Sequence, residues 1–173
     1  MKKLFISILL IILLISTSGC GLFNLDGWVI PDDAEFLALI EELDTPEKIC
    51  QYMLDNFKIE EHPYKSLTPY QLYLTQKGDC NDFSAFSTFI ANYHGYETYQ
   101  ILIIFYPYVF GYSVGHTIGV FKEKDCYTIS EGQFYLGRCQ KTFMEIVNFN
   151  YQEDWASYTV YDYWNNIVEQ ITK

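Results

Sequence analysis

Basic residues are scarce in this 173-residue chain: 11 Lys and Arg stand against 22 Asp and Glu, a formal charge of −11. Phosphate backbones are held by clustered Lys and Arg, so nucleic acid is excluded as a partner. Paired metal-ligand spacings are missing too, with neither a CxxC nor an HxxxH anywhere. No metal and no cofactor is therefore expected. Internal repeats and low-complexity tracts are absent, which excludes solenoid and array architectures. The longest apolar stretch is about a dozen residues, short of the roughly twenty that a bilayer-spanning helix requires.

That stretch opens the chain. Lys2 and Lys3 precede an apolar run from Leu4 to Ile15, and Ser16, Thr17, Ser18 and Gly19 lead into Cys20. This is the tripartite form of a secretory signal with a cleavage site. Ser18-Gly19-Cys20 resembles the lipobox of bacterial lipoproteins, with Thr17 standing where an aliphatic residue is usual. The resemblance implies a signal peptide over residues 1–19, a lipid-modified Cys20 as mature N-terminus, a tether over 20–31 and a domain over 32–173. The mature protein would then be extracytoplasmic and lipid-anchored to a bacterial-type membrane. Its balance is nine basic residues against 22 acidic, a formal −13. Such a surface repels anionic lipid, so the anchor makes the membrane contact.

Half the chain is hydrophobic, and Tyr and Phe together number 29, which is ample for one packed core. Helical spacing of apolar residues begins at Asp33, with Phe36, Leu37, Ile40 and Leu43 on one face. A second helix starts at Thr45-Pro46, an N-cap followed by proline at the first helical position. Thr68-Pro69-Tyr70-Gln71 is a capping-box pattern that opens a short helix ending by Gly78. Asp79 caps a further helix from Cys80 to His94-Gly95. Beyond it the pattern turns to short runs rich in β-branched and aromatic residues, at 98–106, 113–121 and 126–129, with 122–125 as a hairpin connection. A helix over 141–149 and a closing strand over 157–163 complete the reading. Helices first and antiparallel strands afterwards make the class α+β, with the N-terminal helices packed on the sheet.

One pair of segments carries chemistry. A thiol attacks only as thiolate, and a helix N-terminus, with its partial positive charge, favours that form at Cys80. A base must come within reach, and His116, on a strand between Gly115 and the apolar Ile118 and Val120, is the candidate. His62 and His94 read as structural, and Asp82 reads equally as a helix-start carboxylate or a site residue.

Gly78-Asp79-Cys80-Asn81-Asp82-Phe83 and Gly115-His116-Thr117-Ile118-Gly119-Val120 together resemble the transglutaminase-like cysteine hydrolase superfamily, over roughly Thr45 to Gly132. The resemblance implies a papain/transglutaminase-like core, a Cys80 nucleophile, a His116 base and a peptide or protein amide as substrate. It also implies an aspartate on the strand after the histidine. Ser130 occupies that place, with Glu131 adjacent and, by strand alternation, expected on the other face. Besides the backbone N–H of Cys80, the oxyanion donor would be Gln71 or Gln76. Two functions stay open: a surface-tethered thiol hydrolase or acyltransferase, and an inactive fold serving as a binding or structural module in the cell envelope, for which Ser130 argues. Cys126 and Cys139 bridge across a hairpin in one reading of the thiols. In the other, Cys50, Cys80, Cys126 and Cys139 all stay reduced.

Overall fold

The structure is a computed structural model that describes residues 30–62, 65–106, 114–152 and 154–173. The expected signal segment, Cys20 and nearly all of the tether lie outside the described residues. Among the described residues no helix is long and apolar enough to cross a membrane.

Four helices come first, each opened by a side chain that caps it. Asp33 caps α1 (Ala34–Glu42), Thr45 caps α2 (Pro46–Asn56), Thr68 caps α3 (Pro69–Thr75) and Asp79 caps α4 (Cys80–Tyr93). In each case a short polar side chain accepts bonds from N–H groups that the helix itself leaves unpaired. Two short parallel segments, β1 (Lys58–Ile59) and β2 (Lys77–Gly78), tie the ends of α2 and α3 together.

The sheet follows with β3 (Glu97–Phe105), β4 (Gly115–Glu123), β5 (Cys126–Glu131) and β6 (Phe134–Gln140). Helix α5 (Phe143–Tyr151) intervenes before β7 (Trp155–Asp162) and β8 (Ile167–Thr172). The six strands lie in the order β6-β5-β4-β3-β7-β8, every neighbouring pair antiparallel. The class is α+β.

Period-two alternation along β4 divides the core between the two faces of the sheet. Phe121 joins Phe83, Phe86 and Ile90 of α4 on one face, with α1 and α2 outside them. Ile118 and Val120 join Phe143, Ile146 and Val147 of α5 on the other. Each such fully buried side chain contributes roughly 2 kcal/mol relative to exposure. The edge strands β6 and β8 are absent from the sequence reading. Both carry exposed positions on an edge, and β6 contains Gly137, so neither shows the alternation of a half-buried strand.

Candidate active site

Cys80 is the first residue of α4, and its placement begins with Asp79. The Asp79 carboxylate accepts from the N–H of Asn81 at 2.9 Å and of Asp82 at 3.4 Å, while the Asp79 N–H donates to Asp82 Oδ2 at 2.8 Å. This reciprocal box leaves the N–H of Cys80, between those residues, outside it. Gly78 is required just upstream. A Cβ there would stand 2.6 Å from Asp82 Oδ2 and 2.8 Å from Leu72 Cδ1.

Asp82 is wholly buried. Its Oδ1 accepts from the Leu67 N–H at 2.6 Å, and its Oδ2 meets His62 Nε2 at 2.8 Å. The carboxylate thus ties the connection before α3 to the start of α4. His62, Asp79 and Asp82 together offer ligand atoms within 4.8 Å of one another and are the group that could hold a metal ion among the described residues. Three hydrogen bonds already engage the Asp82 carboxylate, which accounts for its burial without an ion.

His116 lies near the start of β4 and is half-buried. Its Nε2 meets Glu131 Oε1 at 2.6 Å, and its ring is in hydrogen-bond contact with the Cys80 thiol. With Nε2 given to Glu131, Nδ1 is the nitrogen that serves Cys80. Burial alone would lower the basicity of the imidazole. The hydrogen bonds that the ring makes to Cys80 and Glu131 and the charge of the carboxylate outweigh it and push the pKa up to about 10. Beside this pair, the Thr117 hydroxyl donates to Asn81 Oδ1, so the first turn of α4 is also fastened to β4.

Ser130 is not at the imidazole. It is buried on the other face, where its hydroxyl donates to the Gly132 carbonyl at 2.7 Å and contacts the Cys50 thiol. The register explains the difference. Gly119 faces Ser130 across β4 and β5, so Ser130 shares the helix-facing side with Gly119 and Phe121. By strand alternation Glu131, next to Ser130, lies on the opposite side, the side of Ile118 and His116, and its carboxylate reaches His116. No bulge intervenes.

Tyr151, at the end of α5, closes the other side of Glu131. Its hydroxyl donates to Glu131 Oε2, and its ring stands edge-on to His116 with centroids 5.9 Å apart. Burial, first, and the adjacent Glu131 hold the phenol far above its ordinary pKa, so it acts as a donor. Nothing local in the sequence marks Tyr151, because only the packing of α5 brings it to β5.

The two glutamines serve α3. Gln71 Oε1 accepts from the Thr68 N–H at 2.9 Å as half of a capping box. Gln76 is the exposed C-cap, with φ of 54°. His94 is structural, its Nε2 meeting the Ile40 carbonyl at 2.7 Å.

No family model matches the chain, and no curated protein does. Among solved structures, the fold is similar to Legionella pneumophila LapG (EGTA-treated), with 16% identity, a TM-score of 0.41 and 71% of each chain covered.

Proposed function

We propose that this chain is an extracytoplasmic lipoprotein, anchored through Cys20, whose domain over 32–173 is a transglutaminase-like thiol hydrolase or acyltransferase with a papain/transglutaminase-like core. The observation that carries the reading is the line Cys80, His116, Glu131: helix-borne thiol, strand-borne imidazole and a carboxylate from the next strand. The case for an inactive module rested on Ser130. Glu131 against the imidazole supports the enzyme reading over it.

In this reading the Cys80 thiolate attacks an amide carbonyl, forming a C–S bond and an oxyanion that the Cys80 N–H meets at the start of α4. Imidazolium at His116 gives its Nδ1 proton to the amine as the C–N bond breaks, leaving a thioester. Water, or a second amine, then loses a proton to His116 and attacks the thioester. The C–S bond breaks and thiolate and imidazolium are restored. Glu131 keeps Nε2 protonated, aims the ring and stabilises its cation.

The test is the rate at which Cys80 of the full, detergent-solubilised chain is alkylated by iodoacetamide, followed on the Cys80 peptide by mass spectrometry. At about pH 6 a free cysteine, of pKa about 8.5, is almost wholly unreactive. Rapid labelling there that His116→Ala abolishes is the expected result. Labelling that His116→Ala leaves unchanged overturns the activated pair. Incorporation of labelled fatty acid in bacteria, lost in Cys20→Ala, tests the anchor separately.

A further inference from the structure

We propose that Tyr151 is the positioning residue of this site: it latches Glu131 so that the carboxylate stays in place against His116. The proposal rests on the functional reading above. Glutamate is one methylene longer than aspartate and has an additional side-chain torsion, so a carboxylate on that stem has more orientations to lose before it can hold an imidazole. One hydrogen bond to His116 fixes only one of its oxygens. The Tyr151 hydroxyl takes the other, Oε2, and both oxygens of Glu131 are then held from opposite sides.

The latch is itself rigid. Tyr151 closes α5, which Thr142 caps and which Phe143, Ile146 and Val147 bury against the sheet. Its ring is edge-on to Phe105, 5.4 Å between centroids, as well as to His116. Tyrosine is rotamerically stiff in such a setting, and its phenol is neutral, so it donates to the carboxylate without competing for the histidine proton. The site therefore draws on an element that lies beyond Thr45 to Gly132. Partners that orient a ligating or catalytic group through a carboxylate act this way in general.

The experiment compares wild type, Tyr151→Phe, Glu131→Gln and the double variant in the full, detergent-solubilised chain. Two readouts are taken: the pH profile of Cys80 alkylation by iodoacetamide, and the titration of the His116 ring followed by NMR. Tyr151→Phe removes one oxygen and nothing else. It should slow Cys80 labelling at about pH 6 by roughly tenfold and lower the His116 midpoint by about one pH unit. In the Glu131→Gln background the same substitution should change neither readout, because there is no carboxylate left to aim. A His116 midpoint left unchanged by Tyr151→Phe, or an equal loss with and without Glu131, overturns the latch. Failure of the functional reading looks different: wild-type Cys80 is then insensitive to His116→Ala, while the NMR midpoint still answers to Tyr151 through Glu131.

Discussion

Gly119 on β4 and Ser87 on α4 approach so closely that a Cβ at residue 119 would stand 2.7 Å from the Ser87 hydroxyl oxygen. Thr88 Cγ2 and Ser130 Cβ, at 3.3 and 3.4 Å, close the remaining space. All three neighbours are buried, so none can swing into solvent. At this point the helix carrying Cys80 is seated on the strand carrying His116 with no side chain between them. Gly119→Ala should cost about 1–3 kcal/mol in urea denaturation, as overpacking of a tight core does. Ser87→Ala in the same chain should return part of that loss. It should also restore Cys80 alkylation, since the obstruction is the Ser87 oxygen.

The imidazole at His116 gives folding a defined pH dependence. Its pKa in the folded protein, about 10, lies above the ordinary value of about 6.5, because its hydrogen bonds to Cys80 and Glu131 overcome its burial. Below about pH 6.5 both folded and unfolded chains bind the proton, and the extra stability is whole. Above it the unfolded chain releases the proton first, so stability falls as pH rises and is gone beyond about 10. Cys50, whose thiol burial pushes up to about 12, adds a loss of the same sign, but only above its ordinary value of 9.0. In the window from about pH 6.5 to 9 the contribution of His116 is the difference between a chain with that histidine and one without it, because His62 beside Asp82 is common to both. Measured on Cys80→Ala, so that the proton given up by the proposed thiolate does not offset the one held on His116, urea midpoints should fall across this window, and those of Cys80→Ala, His116→Gln should stay flatter.

Asp82 makes a sharper structural prediction. Its carboxylate accepts from two backbone N–H groups, those of Leu67 and Asp79, and meets His62 as well. Asp82→Ala strands all three partners in a dry site and should cost about 3 kcal/mol or more. His62→Ala leaves the two backbone bonds intact and should cost clearly less. Equal losses from the two, measured by urea denaturation, would mean that the carboxylate matters only as the partner of His62.

What was legible in the sequence follows the range of the forces concerned. Thr45, Thr68 and Asp79 mark helix starts by bonds that span two or three residues, and all three cap helices as expected. Cys80 and His116 pair by their chemistry and by the resemblance of their segments, and the fold brings them into contact. Ser130 and Glu131 could not be told apart without the register of β4 on β5. That register hangs on a two-residue turn in which Lys124 takes a φ of 59° between the paired Glu123 and Cys126. A slip of one residue would exchange the two side chains between faces. Tyr151 was illegible for a different reason, since its partner lies 20 residues away on another element. The edge strand β8 lacks any apolar period, because most of its side chains are exposed.

Cys126 and Cys139 decide between the two readings of the thiols. They lie on neighbouring strands around the Tyr127–Gln140 pair, and their thiols are in hydrogen-bond contact. That bond, with burial, holds the Cys126 thiol above its ordinary pKa, which lowers its thiolate fraction and slows closure. With oxidised glutathione, two thiols should become one disulfide and two reduced glutathiones, lowering the mass of the chain by two hydrogens. The loop closed is short, and the gain in unfolding free energy should be about 3 kcal/mol or less. Cys50 lies on the buried face of α2 and should stay reduced under the same treatment. Peptide mapping without reductant checks the pairing. If both thiols still accept iodoacetamide after oxidation, the hairpin bridge is wrong and the reduced reading stands; if either joins Cys80 instead, both readings fail.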